Sequence, residues 1–351
     1  MAILHPQECY LLERYTSEDY YRKRWEAYSA FIEHCEQQLE QYVQQLPANQ
    51  RSRPSWEQID IIWQNRVLPN LRGTLMELSG SYIERQHNDP NAYITGGGIR
   101  GDNKGLTDYW PEGWMSAEAL QRYSDLFRLG LIYDKMVSGT VSSSWKDGNL
   151  TYLYSEEYFG PLDLPAQLPV YELDPLVVMG PNDPVKVAGI YLPDVEFASA
   201  QFFHSFSYLP HVSPQGKERS DYISPEGEID YHWKEIENVP STWTLVRRVE
   251  NQFIPVPAEG FFPTGHPDEL YRWPERESGL RNSGKRNLTL PTGTSCPHSG
   301  IWTTYQAGRI VRQHFSQGDI LPEWQDTATQ KRAIHWTLLE RDDGMSAEFP
   351  A

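Results

Sequence analysis

The sequence predicts an α+β protein, an N-terminal α-helical bundle followed by a β-rich, loop-rich C-terminal domain. Three observations carry this prediction. Up to about residue 140 the apolar residues recur at helical spacing. Beyond it that periodicity fades, Pro and Gly become frequent, and short β-prone runs appear. The chain has 351 residues, more than one small core needs and enough for two domains of roughly 100–200 residues each. The expected division is residues 1–140, α-helical, and 141–351, β-rich, with the border inside 138–160.

The first helix has a start signal and a stop signal. Thr16 or Ser17 offers an N-cap, and Glu18 and Asp19 put acid at the positive end of the helix dipole. Tyr21, Trp25, Tyr28, Ile32, Cys35, Leu39, Tyr42 and Leu46 then alternate steps of four and three, one apolar stripe along a long helix. Pro47 and Asn49 end it. A second run follows Ser55: Trp56, Ile59, Trp63, Val67, Leu71, Leu75, Leu78 and Tyr82. Pro69 lies inside this run, so a kink or break is expected near Leu68. A third helix is expected from Ser116 through Leu120, Tyr123, Phe127 and Leu131 toward Met136.

Between the second and third runs lies T-G-G-G-I-R-G-D-N-K-G, residues 95–105. Glycines can let backbone amides cradle a phosphate. The spacing fits neither G-x-x-x-x-G-K-[ST] nor G-x-G-x-x-G, and no apolar strand leads into it. It reads as a flexible loop available for contact.

In the second half, Val185–Leu192, Thr242–Val249 and Gly300–Tyr305 read as strands. Pro181-Asn182-Asp183-Pro184 and Ser224-Pro225-Glu226-Gly227 read as turns. No internal repeat is visible.

The net charge is −17, which argues against direct nucleic-acid binding and against docking on an anionic membrane. The same charge favours a basic protein partner, attracted at long range. Residues 161–351 carry 26 acidic and 16 basic side chains, a net of −10, so the β-rich part is the more acidic. One acidic cluster is Asp163, Glu172, Asp174, Asp183, Asp194 and Glu196. A second is Glu218, Asp221, Glu226, Glu228, Asp230, Glu235 and Glu237, interleaved with Tyr222, Tyr231 and Trp233. Carboxylates beside aromatic rings suit a protein interface, which makes Asp174, Asp183, Asp194, Glu226, Asp230, Tyr231 and Trp233 the candidate partner-binding residues.

Three cysteines, Cys9, Cys35 and Cys296, form no C-x-x-C pair, which excludes a disulfide framework and fits a reducing compartment. No signal peptide and no long apolar span is visible, so a cytoplasmic location with no membrane association is expected. The sequons at Asn149 and Asn287 carry no weight without a secretory signal.

Catalytic motifs are absent. There is no G-x-S-x-G elbow, no H-E-x-x-H and no EF-hand loop. His204, His211 and His232 are scattered, and Pro210 disfavours a helix that would align the first two. Glu156-Glu157 between Tyr154 and Tyr158 has no partner acid identifiable by spacing. Cys296 and His298 are too close in sequence for a thiol–imidazole pair. Neither catalytic residues nor a metal or cofactor is expected.

The most distinctive segment is G-T-S-C-P-H-S-G-I-W-T-T-Y-Q-A-G-R-I-V-R-Q-H-F-S-Q-G-D-I-L-P, residues 293–322. Gly293, Cys296, Pro297, Gly300, Trp302, Gly318 and Pro322 form its skeleton, read as scaffold rather than contact surface. This skeleton resembles a C-P-x-[ST]-G-x-W pattern of large immunity proteins from bacterial polymorphic-toxin and type VI secretion loci. The resemblance implies a protein that binds a cognate cytoplasm-acting toxin and neutralises it without catalysis. A basic, nuclease-type toxin would match the acidic charge. Two rival expectations are a hydrolase with a site dispersed in sequence and an adaptor or chaperone for a secreted effector. The hydrolase predicts a concave pocket with convergent, perturbed titratable groups.

Overall fold

The computed structural model describes residues 1–181, 183–207, 217–225, 227, 229–235, 240–282, 285–306, 309–325 and 331–350. Helices fill the first part: α1 (Pro6–Tyr15), α2 (Glu18–Gln44), α3 (Ile59–Ile62), α4 (Leu68–Gln86), α5 (Ile99–Leu106), α6 (Ala117–Val141) and α7 (Glu156–Phe159). Strands dominate the rest: β1 (Gln167–Met179), β2 (Gly189–Pro193), β3 (Gln201–Phe203), β4 (Lys217–Ile223), β5 (Ile229–Glu235) and β6 (Trp243–Pro255). After α8 (Pro267–Tyr271) and α9 (Trp273–Asn282) come β7 (Lys285–Asn287), β8 (Thr289–Pro291), β9 (Gly300–Gln306) and β10 (Arg309–Phe315). The last strands are β11 (Trp324–Gln325), β12 (Lys331–Arg332), β13 (His335–Arg341) and β14 (Glu348–Pro350). The architecture is thus α+β, helices first and strands second.

Two compact units form. One is Tyr15–Ser142 with Tyr158–Gly160; the other is Met1–Arg14, Ser143–Glu157 and Pro161–Ala351. The division differs from a single cut between residues 140 and 141, because the first fourteen residues fold with the strands. Periodicity does not reveal this. α1 is buried on nearly every side: Cys9, Leu11 and Leu12 have no exposed surface, and Gln7 and Glu8 are buried with them. Ten residues, with polar groups among the buried ones, are too few and too mixed to point to one partner.

In the helical unit the start and stop signals act as expected. The Ser17 hydroxyl accepts from the Tyr20 amide, and the Ser116 hydroxyl accepts from the Ala119 amide. α2 packs on α4 and α6 around Tyr28, Phe31, Ile32, Cys35, Leu71, Tyr123 and Phe127. The break before Pro69 is a π-turn over Trp63–Val67, in which the Leu68 amide reaches back five residues to the Trp63 carbonyl. Proline lacks an amide and its ring crowds the carbonyl four residues earlier, and the wider turn relieves both. Trp56 does not belong to the stripe: it is 74% exposed, in a short 3-10 turn ahead of α3.

The glycine-rich segment corrects the loop expectation from residue 99 onward. Ile99–Leu106 is helical, with Ile99, Asp102 and Leu106 buried on one side. Three buried residues at i, i+3 and i+7 outweigh the propensity cost of Gly101 and Gly105. Asp102 accepts from the Tyr28 hydroxyl and, at 2.6 Å, from the Asn70 amide, which pins α5 to α2 and α4. Gly98 permits the approach, since a Cβ there would stand 2.6 Å from the Thr74 hydroxyl.

The strand unit has two four-stranded antiparallel sheets, ordered β1-β6-β2-β3 and β10-β9-β13-β8. Expected strand Val185–Leu192 begins only at Gly189, because its neighbour β3 is three residues long and offers Val185–Ala188 nothing to pair with. Expected strand Thr242–Val249 runs on to Pro255, held in register by the equally long β1. Three two-stranded ribbons complete the unit: β4–β5, β7–β14 and β11–β12.

Residues 293–322 build the core beneath the second sheet. Cys296 and Trp302 have no exposed surface and pack with Phe315, Leu321 and Trp336. The Cys296 amide donates to the Asp319 carbonyl at 2.7 Å, and the Gly318 amide donates back to the Cys296 carbonyl at 2.8 Å. Gly293 and Gly318 have φ of +83° and +95°, in the region that favours glycine. Gly300 is required by space, since a Cβ would lie 1.9 Å from the Glu340 carbonyl oxygen. Pro297 is half-buried, and the Pro322 carbonyl accepts from the Trp336 indole at 2.9 Å.

Candidate functional site

The sequence singles out acidic residues of the strand unit, and three of these hold backbone in place. Asp174 sits at a bulge in β1, accepts from the Leu176 amide at 3.0 Å, and pairs with Arg247 of β6. That guanidinium holds its carboxyl below the usual range. Asp183 is exposed and accepts from the Gly180 amide at 2.8 Å, closing a turn. Asp194 accepts from the Thr242 amide at 3.0 Å, joining the ends of β2 and β6. The Asp174 bond to the Leu176 amide and the Asp183 bond to the Gly180 amide are the short-range kind by which Asp favours turns, whereas Arg247 and the Thr242 amide come from distant parts of the chain.

Of the other four, three lie on the β4–β5 ribbon. Glu226 lies outside the described residues. Asp230, Tyr231 and Trp233 lie on β5, opposite Tyr222, Asp221 and Arg219 of β4 in the register. The strands are joined by a turn in which the Gly227 amide donates to the Ser224 carbonyl at 2.9 Å. Next to this turn the ribbon is apolar and open to solvent. Tyr222 is 44%, Ile223 74% and Ile229 80% exposed, and Ile223 and Ile229 are register partners. Asp221 beside them is also exposed. The strands pair with each other and, among the described residues, with no other strand. The two isoleucines in register thus form a small exposed apolar surface at the ribbon tip, which period-two alternation alone does not identify.

A second candidate is a cleft of about 190 Å³ that sequence spacing does not reveal. Its lining comes from four separate stretches: Met1–Ile3, Asp147, Glu196–Ala198, and Leu270 with Tyr271 of α8. Asp147 sits in a turn closed by the Asn149 amide on the Lys146 carbonyl. Its carboxylate accepts from the Tyr152 hydroxyl at 2.7 Å and the Tyr271 hydroxyl at 3.2 Å. Burial, reinforced by Asp147, pushes both phenols well above their ordinary range. Phe197 has φ of +54°, rare for a bulky residue, and its ring stands edge-on to Tyr271 at 5.3 Å.

Glu8 of α1 is buried and accepts from the Ala200 amide at 3.1 Å. Burial raises its carboxyl to about 8, with the charge of Asp147 adding in the same direction. His5 lies between Phe261, Phe262 and Trp273, and burial holds its imidazole well below the ordinary value.

The remaining chemical candidates are structural. Glu156 is exposed and accepts from the Leu162 amide. His204 is buried and its Nδ1 accepts from the Phe206 amide. His211 lies outside the described residues. Cys296 is buried, and burial raises its thiol above the usual value, away from nucleophilic thiolate. Among the described residues no three His, Cys, Asp or Glu side chains gather closely enough to hold a metal ion. Among the same residues no helix is long and apolar enough to cross a membrane. No protein-family model, curated protein or solved structure matches the chain.

Proposed function

We propose that this protein is a cytoplasmic immunity-type binding protein that neutralises a basic, nuclease-type toxin. The observation that carries the reading is the β4–β5 ribbon, whose exposed Tyr222, Ile223 and Ile229 stand beside Asp221. Apolar side chains supply contact area and the surrounding acid selects a positively charged partner. The net charge of −17 speeds encounter with such a surface and competes with the polyanion the toxin grips. Three free, buried cysteines suit a reducing compartment.

Co-expression with the toxin encoded beside its gene is the test. The reading expects survival, and a complex on co-purification. It expects the double variant Ile223→Asp/Ile229→Asp to lose both while its thermal midpoint stays within a few degrees of wild type. Cells that die despite full expression of the wild-type protein overturn it. A complex that forms while the toxin stays active supports the adaptor alternative instead.

A further inference from the structure

We infer that residues 95–106 form a strap that lifts off the helical unit in the native protein and uncovers the buried Arg24–Asp134 pair. The inference depends neither on the ribbon nor on a toxin. It rests on how the strap is fastened and on what lies beneath it.

The strap is the glycine-rich turn followed by α5. α5 has eight residues, and a helix that short does not persist in water without packing. Gly101 and Gly105 weaken it further, because glycine loses the most chain entropy on becoming helical. It buries only Ile99, Asp102 and Leu106, whereas α2 and α6 bury nine residues each. Its polar fastening is one carboxylate: Asp102 accepts from the Tyr28 hydroxyl and, at 2.6 Å, from the Asn70 amide. Gly96 and Gly97, with φ of +81° and +148°, supply a hinge at its start. Segments with few buried apolar contacts are those that open well below the global unfolding free energy.

What the strap covers opposes its closure. α5 packs on α4 and α6, and the charges of Arg100 and Asp102 both reach Asp134 of α6. The Gly96 backbone passes beside Arg24 of α2, where a Cβ would stand 3.5 Å from the Arg24 Nη2. That Nη2 donates to the Ser81 hydroxyl at 3.0 Å, and Nη1 lies 3.5 Å from the Asp134 Oδ1. Among the described residues the Arg24 Nε has no acceptor, and neither Asp134 oxygen has a donor. A buried charge short of hydrogen bonds is destabilising, and solvent supplies the missing partners once the strap lifts. Closure gains the contacts of Ile99, Asp102 and Leu106 and gives up the hydration of two charges. The difference is small beside the stability of the bundle.

Native-state hydrogen exchange on the full chain tests the strap. The amides of residues 102–106 are expected to exchange at least a hundredfold faster than the buried turns of α2 and α6, at a rate that hardly changes in low denaturant. Gly101→Ala/Gly105→Ala, at exposed positions where a Cβ meets nothing within 4 Å, should slow that exchange about tenfold and leave α2 and α6 unchanged. Asp102→Asn should speed it about tenfold, and Arg24→Met/Asp134→Leu should slow it about tenfold. A maleimide should label Thr74→Cys, whose side chain lies against Gly98, at least tenfold faster than Cys35 of the same bundle. Exchange of residues 102–106 only by global unfolding, no slowing in the double alanine variant, or a Thr74→Cys thiol as slow as Cys35 overturns the strap. Equal exchange in Arg24→Met/Asp134→Leu and wild type overturns the part assigned to the buried pair.

Discussion

Glu13 and Arg248, 235 residues apart in the chain, form a bidentate ion pair that ties α1 to the first sheet. The Arg248 Nε donates to both carboxylate oxygens, at 3.0 and 2.8 Å, its Nη2 donates to one of them, and the Tyr171 hydroxyl of β1 adds a further bond at 2.6 Å. One side chain of α1 thereby holds the two longest strands. Removing one partner of a desolvated pair leaves the other charge uncompensated. Glu13→Gln is expected to lower stability by about 2 kcal/mol, read as a lower urea midpoint. A double-mutant cycle with Arg248→Met should recover part of that loss, and full additivity would show that the two residues do not act together.

The helical unit contains a second, poorer pair. Arg24 and Asp134 are both buried with Nη1 and Oδ1 3.5 Å apart, and among the described residues neither Asp134 oxygen accepts a hydrogen bond. Burial raises the Asp134 carboxyl, and the Arg24 charge opposes that rise. Such a pair contributes little stability relative to apolar packing. Asp134→Leu alone should cost about 3 kcal/mol by stranding Arg24, whereas Arg24→Met/Asp134→Leu should lie near wild type. Equal losses in the single and double variants would contradict this.

Stability should depend on the protonation of Glu8. Its folded value of about 8 lies above the ordinary 4.5, so folding favours the protonated acid. The resulting stabilisation is complete below the unfolded value and is lost as pH rises through about 8. His5 works in the opposite direction. Its lowered folded value costs stability as pH falls below the ordinary 6.5. The interval between about 6.5 and 8 therefore belongs to Glu8. Unfolding free energies measured across it should fall with rising pH, and Glu8→Gln should flatten the slope. An unchanged slope in Glu8→Gln would refute the assignment.

Position 300 tolerates no side chain. Gly300→Ala would drive its methyl into the Glu340 carbonyl and separate β9 from β13, where Gly300 pairs with Arg341. Its cost should exceed about 3 kcal/mol, the scale of overpacking a tight contact. Gly318→Ala, with open space but a φ of +95°, should cost only about 1–2 kcal/mol. Thermal unfolding of the two variants compares steric exclusion with backbone strain directly.

All three thiols should resist alkylation in the native protein and react once it is unfolded, because Cys9, Cys35 and Cys296 are buried and each has its pKa raised by burial. Labelling with a maleimide, followed by mass measurement, counts them. Rapid native labelling of any one would mean that its segment opens.

Local chemistry was enough to place α2, α4 and α6, because capping hydroxyls and a stripe at period 3.6 act over a few residues. The same range of action made the Pro69 break and the strand from Gly300 legible. What decided the rest was contact between distant segments. α1 left the helical half because Glu13 finds Arg248, and residues 99–106 became a helix because Asp102 finds Tyr28 and Asn70. Asp174 and Asp194, alike in sequence as acids on a charged stretch, turned out to hold Arg247 and the Thr242 amide. The cleft draws Asp147, Glu196 and Tyr271 from three separate segments of the chain, and no spacing rule joins them. Helix caps and stripes report the free energy of neighbours along the chain. A charge's role depends on which counter-charge or solvent the folded chain sets beside it, and only tertiary structure supplies that.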